Sequence, residues 1–235
     1  CRISPSAELF FCYSNFMEMF QKYFLLLASV VVLQTVFAQR RLTEATLHYS
    51  VEAVTGDSSI QDLLEGVRYT CFIKGVNSRM ELVTSMGKES TIILGKTGQV
   101  VLLKEYGAQH YITKLSSEQW TQMNQSYEDA QLKLVADTLR ISGYLCSKAV
   151  FQFSDGTSRT AWYTTQLVPI YREFQLFAKK LPGLLVQYES TFGKTPVIFK
   201  LKEINYNPVQ VANFDVPEEG YRIIEWGNEK KSNRD

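Results

Sequence analysis

Apolar and polar residues alternate with a period of two along most of the chain from Thr46 onward. Leu47, Tyr49 and Val51 fall on one side and His48, Ser50 and Glu52 on the other, the signature of a half-buried β-strand. A polar turn follows at residues 56–59, and residues 60–64 fit either a loop or a single helical turn. Five further short alternating runs cover 67–73, 78–85, 90–94, 99–103 and 109–113. They are separated by breaks that contain Gly75, Gly87, Gly95 with Gly98, and Gly107. Short strands punctuated by glycine, with no helical crossover between them, predict an antiparallel meander.

Ser116 then supplies a helix N-cap, and Gln119 completes a capping box three residues on. Trp120, Met123, Tyr127 and Ala130 recur at helical spacing, so an amphipathic helix must lay its stripe on the sheet. Alternation resumes over 133–140 and leads into the most informative stretch, Gly143 to Glu189. There Phe151-Gln152-Phe153 and Thr160-Ala161-Trp162-Tyr163 flank Ser154-Asp155-Gly156-Thr157, where Asp-Gly predicts a tight hairpin with two positive-φ positions. Pro169 suits the first turn of a helix. Tyr171, Phe174, Phe177 and Leu181 continue it, and Pro182-Gly183 stops it. Leu184, Val186 and Tyr188 alternate in a strand, as do Val197, Phe199 and Leu201 further on. Residues 208–211 read as a late edge strand, and Phe214 to Tyr221 closes the fold. The pattern predicts a mainly β protein with two helices: a long curled antiparallel sheet, a half-barrel, with the helices on its concave face. It forms one domain over residues 39–227, followed by a charged tail, 228–235, that lacks the apolar residues needed to fold.

The first 38 residues do not fit that pattern. From Met17 or Met19, Lys22 makes a basic start, Tyr23 to Leu33 is an apolar run, and Val36-Phe37-Ala38 places small residues at −3 and −1. This predicts a secretory signal peptide cleaved after Ala38. The alternative is a membrane anchor, but a run of about eleven residues falls short of the ~20 that span a bilayer. The chain is therefore expected in the periplasm or outside the cell, without an integral span after cleavage.

Composition narrows the function by exclusion. Lys and Arg number 25 against 24 Asp and Glu, which leaves no basic excess for a nucleic-acid footprint. Beyond the signal region only Cys71 and Cys146 remain; they either pair in an oxidising compartment or sit apart as small buried hydrophobes. There is no Cys-x-x-Cys, no Gly-x-Ser-x-Gly, no phosphate loop and no His-Glu-x-x-His, so no metal or cofactor is expected. The only histidines, His48 and His110, stand alone in strand patterns. Either could join a spatially assembled Ser/His site or be a solvent-facing strand residue. Glu218-Glu219 reads as a solvated turn.

Aromatic residues carry more information, with 14 Phe and 13 Tyr in the chain. Tyr144, Phe151, Phe153, Trp162, Tyr163, Phe174, Phe177 and Tyr188, with Leu184, crowd the central stretch. They could line an apolar ligand cavity or pack as an ordinary sheet–helix core. Leu181, Pro182 and Gly183 could gate such a cavity or simply end a helix. The order Gly143-Tyr144-x-Cys146-x-Lys148-Ala149, Ala161-Trp162-Tyr163-Thr164, Leu181-Pro182-Gly183-Leu184-Leu185 resembles the GLPGLI family of secreted Bacteroidota proteins, with Lys180 and Leu185 departing from the name motif. The ending Phe214, Pro217, Gly220, Tyr221 is similar, more distantly, to that of proteins related to periplasmic lipoprotein carriers. These resemblances imply an exported half-barrel and, for the carriers, a cavity for acyl chains. The leading expectation is a non-enzymatic periplasmic protein that binds a lipid or other apolar molecule between sheet and helices. A cell-envelope interaction module that binds a protein partner, and a hydrolase, are the alternatives.

Overall fold

The computed structural model describes residues 39–54, 60, 62, 64–193 and 195–227. The predicted signal peptide, the 56–59 turn and the charged tail lie outside the described residues. Fourteen strands are labelled in chain order: β1 Arg40–Leu42, β2 Glu44–Ala53, β3 Arg68–Lys74, β4 Asn77–Thr84, β5 Gly87–Leu94, β6 Gln99–Tyr106, β7 Gln109–Leu115, β8 Gln131–Ile141, β9 Tyr144–Gln152, β10 Ser158–Thr164, β11 Leu167–Pro169, β12 Leu184–Phe192, β13 Thr195–Asn205 and β14 Arg222–Ile223. Helices α1 (Ser117–Met123) and α2 (Gln125–Glu128) follow β7, and two 3₁₀ helices span Glu173–Ala178 and Val211–Phe214. Ile60, Asp62 and Leu64 are helical, as one reading of that stretch allowed.

Twelve strands form one sheet in the order β14-β7-β6-β5-β4-β3-β2-β13-β12-β10-β9-β8. Two meanders, β2 to β7 and β8 to β13, meet where β2 pairs with β13, and residues 116–130 carry the chain from one outer side to the other. The ladder is antiparallel except where β14 runs parallel to β7, and a separate parallel pair joins β1 to β11. The sheet is open, with β14 and β8 at its edges. The ladder confirms a mainly β, antiparallel architecture but does not by itself establish a half-barrel.

Period-two alternation divides the sheet into two faces. One register row runs Ala149, Ala161, Tyr188, Phe199, Val51 across five strands, and Tyr49, Tyr69 and Cys71 continue that face. Trp120 and Met123 of α1 pack against the core cluster of this face, and Tyr127 of α2 joins a second cluster around Phe151, Phe153 and Phe177. Both α1 and α2, the two pieces of the one helix expected over 116–130, thus lie on one side; the second expected helix, over 169–181, is replaced by the 3₁₀ segment Glu173–Ala178. Over β4 to β7 the opposite face is covered by the C-terminal segment. There Val209, Phe214, Val216 and Tyr221 pack on Ile92, Val101, Leu103 and Ile112.

Local signals read from sequence differ from the structure at four places. The Ser116–Gln119 capping box is present, but the helix ends at Met123 and Asn124, with φ −104° and ψ 20°, separates it from α2. The Asp155-Gly156 hairpin uses only one positive φ, at Gly156. The Gly156 N–H donates to the Phe153 carbonyl at 3.1 Å and Phe153 N–H to Thr157 at 2.9 Å, a type I turn followed by a bulge. The two-residue turn with both φ positive lies instead at Ser142-Gly143, between β8 and β9. Pro169 closes β11 rather than opening a helix, and the chain continues into a short 3₁₀ segment broken at Leu176, with φ 48° and ψ −117°. Residues 208–211 form no strand; β14 is the terminal pairing segment.

Candidate functional site

The side chains that sequence reasoning gathered into a cavity form an aromatic core under the Glu173–Ala178 segment, which roofs the packed face. Phe177 is the hub. Its ring meets Phe151 edge-on at 5.0 Å, Tyr188 at 5.7 Å, Tyr127 at 5.9 Å and Phe153 at 6.3 Å. Tyr188 stacks flat on Phe199 at 4.9 Å, while Tyr69 meets Phe199 and Tyr49 edge-on. Such contacts stabilise beyond their area alone. The Arg159 guanidinium lies over Tyr127, Phe153 and Phe177 at 5.1–5.5 Å, so the open side of the cluster is already occupied by a cation.

Between roof and sheet a space of about 30 Å³ remains, lined chiefly by Tyr49, Tyr69, Cys71, Leu176 and Tyr188. That holds a water or two, whereas a small-molecule site needs roughly 300 Å³ or more. Among the described residues no ligand-sized space opens beneath the roof, because Phe174, Leu176 and Phe177 fill it. Its rim is polar: Tyr49 donates to the Leu185 carbonyl at 2.8 Å. Burial pushes the Tyr49, Tyr69 and Tyr188 hydroxyls up and raises the Cys71 thiol to about 12. Burial likewise holds Cys146 at about 11. Both thiols are free and buried on separate strands, so the disulfide left open by the sequence is not formed.

The roof is held by polar groups that hydropathy does not reveal. Gln175, only 3% exposed, donates from Nε2 to the Gly183 carbonyl at 3.2 Å and accepts the Leu185 N–H at 2.7 Å. Its amide completes the start of β12 as a neighbouring strand would. Arg172 donates to the Leu181 carbonyl at 2.9 Å, and Lys179 bonds Glu128 of α2 and, at 3.2 Å, Glu173. The Leu181-Pro182-Gly183 stretch is an anchor rather than a free gate. Leu181 is fully buried, and a Cβ built on Gly183 would stand 2.0 Å from the Thr164 carbonyl. Glycine is required there by close approach, not by left-handed geometry.

Of the other candidates, Tyr163 and Leu184 are buried core residues. Trp162 alternates with Ala161 and Tyr163 and so points to the opposite face, where Lys148 lies 5.9 Å from its ring. Tyr144 bonds Tyr206, whose ring carries Arg40 at 3.8 Å, away from the roof. His48 faces Thr70 at 3.4 Å, and His110 faces the Gly107 carbonyl at 3.2 Å and the Tyr221 ring. Among the described residues these contacts bring no Ser hydroxyl to either imidazole, and no group of three or more His, Cys, Asp or Glu is placed to hold a metal. No helix among them is long and apolar enough to cross a membrane. Sequence reading missed Tyr49, Tyr69, Arg159 and Gln175. The tyrosines share the alternation of β2 and β3 and were available to it; Gln175 carries no such signal.

No family model matches the chain, and no curated protein matches it; the GLPGLI resemblance stands on its motif residues alone. Among solved structures, the chain is similar to PNGF-II (13% identity, TM-score 0.47), covering 78% of this chain and 31% of that one. It is also similar to an uncharacterised conserved protein from Thermus thermophilus, at 10% identity and TM-score 0.47, over 84% and 99% of the two chains. A third is the β-barrel-like DUF1849 protein from Brucella abortus, at 7% identity and TM-score 0.34, over 70% and 98%. This chain thus spans about a third of the PNGF-II chain.

Proposed function

We propose that the chain is an exported, non-enzymatic interaction protein of the cell envelope that receives an extended segment of a partner protein on the open edge of its sheet. The observation that carries this reading is the asymmetry of the two edges. At one, β14 lies against β7. At the other, β8 spans 11 residues and, among the described residues, has a partner on one side only. An unpaired strand edge is a template for strand addition. Leu134 and Leu139 on β8 are 54% and 50% exposed and offer side-chain contacts that an added strand would cover. The edge is also guarded. The register breaks between Val135 and Thr138, and Lys133, Asp137 and Arg140 carry charge, which disfavours indiscriminate edge-to-edge joining and favours a charge-matched partner.

Export rests on the signal-peptide pattern. A curled sheet fits the same reading. A flat sheet would separate β7 from β8 by about 48 Å. The largely helical residues 116–130 reach about 34 Å, and α2 is tied to the roof through Glu128 and Lys179.

The test compares the wild type with L134K/L139K, a surface change that places lysines on the edge. Both are purified from envelope extracts, and the bound material is identified by mass spectrometry. A stoichiometric protein partner lost with the double variant is the expected result. Equal recovery by both proteins would remove the edge from the reading. The carrier reading keeps one specific support, the strained Leu176 backbone in the roof, which a displaced roof would relieve. A stoichiometric lipid in place of a protein would favour it.

A further inference from the structure

Two independent features meet at residue 39. In the sequence, Gln39 follows Val36-Phe37-Ala38, where export cleavage is expected. In the structure, the compact unit begins at Gln39. One residue later the Arg40 N–H donates to the Gln166 carbonyl at 2.9 Å and opens β1. We propose that Gln39 is a modification site: once exposed as the N-terminus, it cyclises to pyroglutamate. This rests on the export reading above.

The step needs no co-reactant. The neutral α-amine attacks Cδ of its own side-chain carboxamide, an N–Cδ bond forms, the Cδ–Nε2 bond breaks, and ammonia leaves with the surplus proton. The reacting atoms belong to one residue, so the site must supply only a free amine and an unhindered side chain. Gln39 is exposed. Arg40 and Arg41 follow immediately, and a third positive charge beside theirs is disfavoured, which raises the neutral, nucleophilic fraction of the amine.

The fold also gives the lactam a role. Among the described residues β1 pairs with β11 alone, in register Arg40 to Leu167 and Leu42 to Pro169. Leu42 is 1% exposed, within the main core cluster, and β11 leads directly into the roof segment. Exoproteolysis from residue 39 would remove the partner of β11 after very few cuts, and a lactam has no α-amine for an aminopeptidase to recognise.

The experiment expresses the full chain, with residues 1–38, in an exporting cell. The fresh extract is then analysed by intact mass and N-terminal peptide sequencing. The expected product begins at residue 39, is lighter by one ammonia than the uncyclised chain, and resists added aminopeptidase, whereas Q39A is trimmed. A product that begins at Gln39 with a free amine and intact carboxamide overturns the cyclisation and leaves export standing. A product that begins elsewhere overturns the cleavage position and the cyclisation with it.

Discussion

Replacing Gln175 by Met tests whether one buried amide holds the roof to the sheet. Met preserves the unbranched shape and most of the volume, so the loss is not confounded by a large cavity. It strands two backbone groups, the Gly183 carbonyl and the Leu185 N–H, which the amide now meets at 3.2 and 2.7 Å. A buried backbone group left unpaired costs about 1–3 kcal/mol. Part of this is recovered if the roof shifts and admits water, so the expected loss is ~2–4 kcal/mol. For a domain of this size that corresponds to roughly 5–15 °C in Tm. Chemical denaturation gives the free energy, and hydrogen exchange at the Leu185 amide locates it. Q175E adds a control by sign. Its carboxylate would face the Gly183 carbonyl in a buried site, so its folded-state pKa should lie above the unfolded value. The charged form is then the destabilising one, and the deficit should shrink as pH falls through the folded-state pKa, the reverse of a salt-bridged carboxylate. A loss below ~1 kcal/mol for Q175M, with Leu185 exchange unchanged, would refute the bridging role.

Three further outcomes are expected from other parts of the fold. G183A should destabilise by several kcal/mol, on the order of 3 or more, because its Cβ meets backbone rather than a movable side chain; a variant within about 1 kcal/mol of wild type by denaturation would show that the Thr164 contact yields. The C-terminal cover should loosen in acid. Glu105, which accepts from Tyr221 at 2.6 Å and pairs with Lys88, and Glu44, which accepts the Val209 N–H and pairs with Lys74, are both held below the ordinary carboxylate range. Their contribution is present above the unfolded value near ~4.3 and fades as pH falls through the lower folded values, so the exchange protection of amides over 209–224, taken relative to their intrinsic rates, should fall below about pH 4 and Y221F should blunt the effect; protection unchanged with pH would contradict it. Cys71 and Cys146, raised to about 12 and about 11 by burial, should resist a thiol reagent at pH 8 in the native protein and both react in denaturant, and prompt native labelling would show that one of them is accessible.

The features legible in the sequence were those with a local cause. Alternation placed β2 to β7 close to their observed limits because each strand buries one face, and the Ser116 capping box is a contact between residues three apart. The misreadings were local signals overridden by tertiary packing. Pro169, Tyr171, Phe174, Phe177 and Leu181 carry a helical spacing, yet the roof must cross the sheet and return to β12, and a continuous helix would carry its end away from Thr164. The kink at Leu176 and the amide of Gln175 replace the helix, and neither has a sequence signature. The aromatic residues were found, but hydropathy does not distinguish rings that line a cavity from rings that fill one. Trp162 stands apart from the aromatic hub for a simpler reason: it alternates with Ala161 and Tyr163 and therefore points to the opposite face.

The arrangement of edges and faces explains why the second meander is the half to probe for function. Over β4 to β7 both faces are covered, one by the helical side and the other by the segment around Val209, Phe214 and Tyr221, and β14 covers the β7 edge. Across β2, β13, β12, β10 and β9 the opposite face instead carries the row Ser50, Lys200, Gln187, Trp162 and Lys148, and it ends at β8 with Val135. That row is polar enough to face water, so this half needs no cover to be stable. A free edge is a liability that proteins usually blunt, and here the C-terminal segment blunts one edge while the longer one keeps only a bulge and three charges. If that guarding were the whole purpose of β8, L134K/L139K should leave every association unchanged and improve solubility; if the edge is a receptor, the same two lysines should abolish one specific complex.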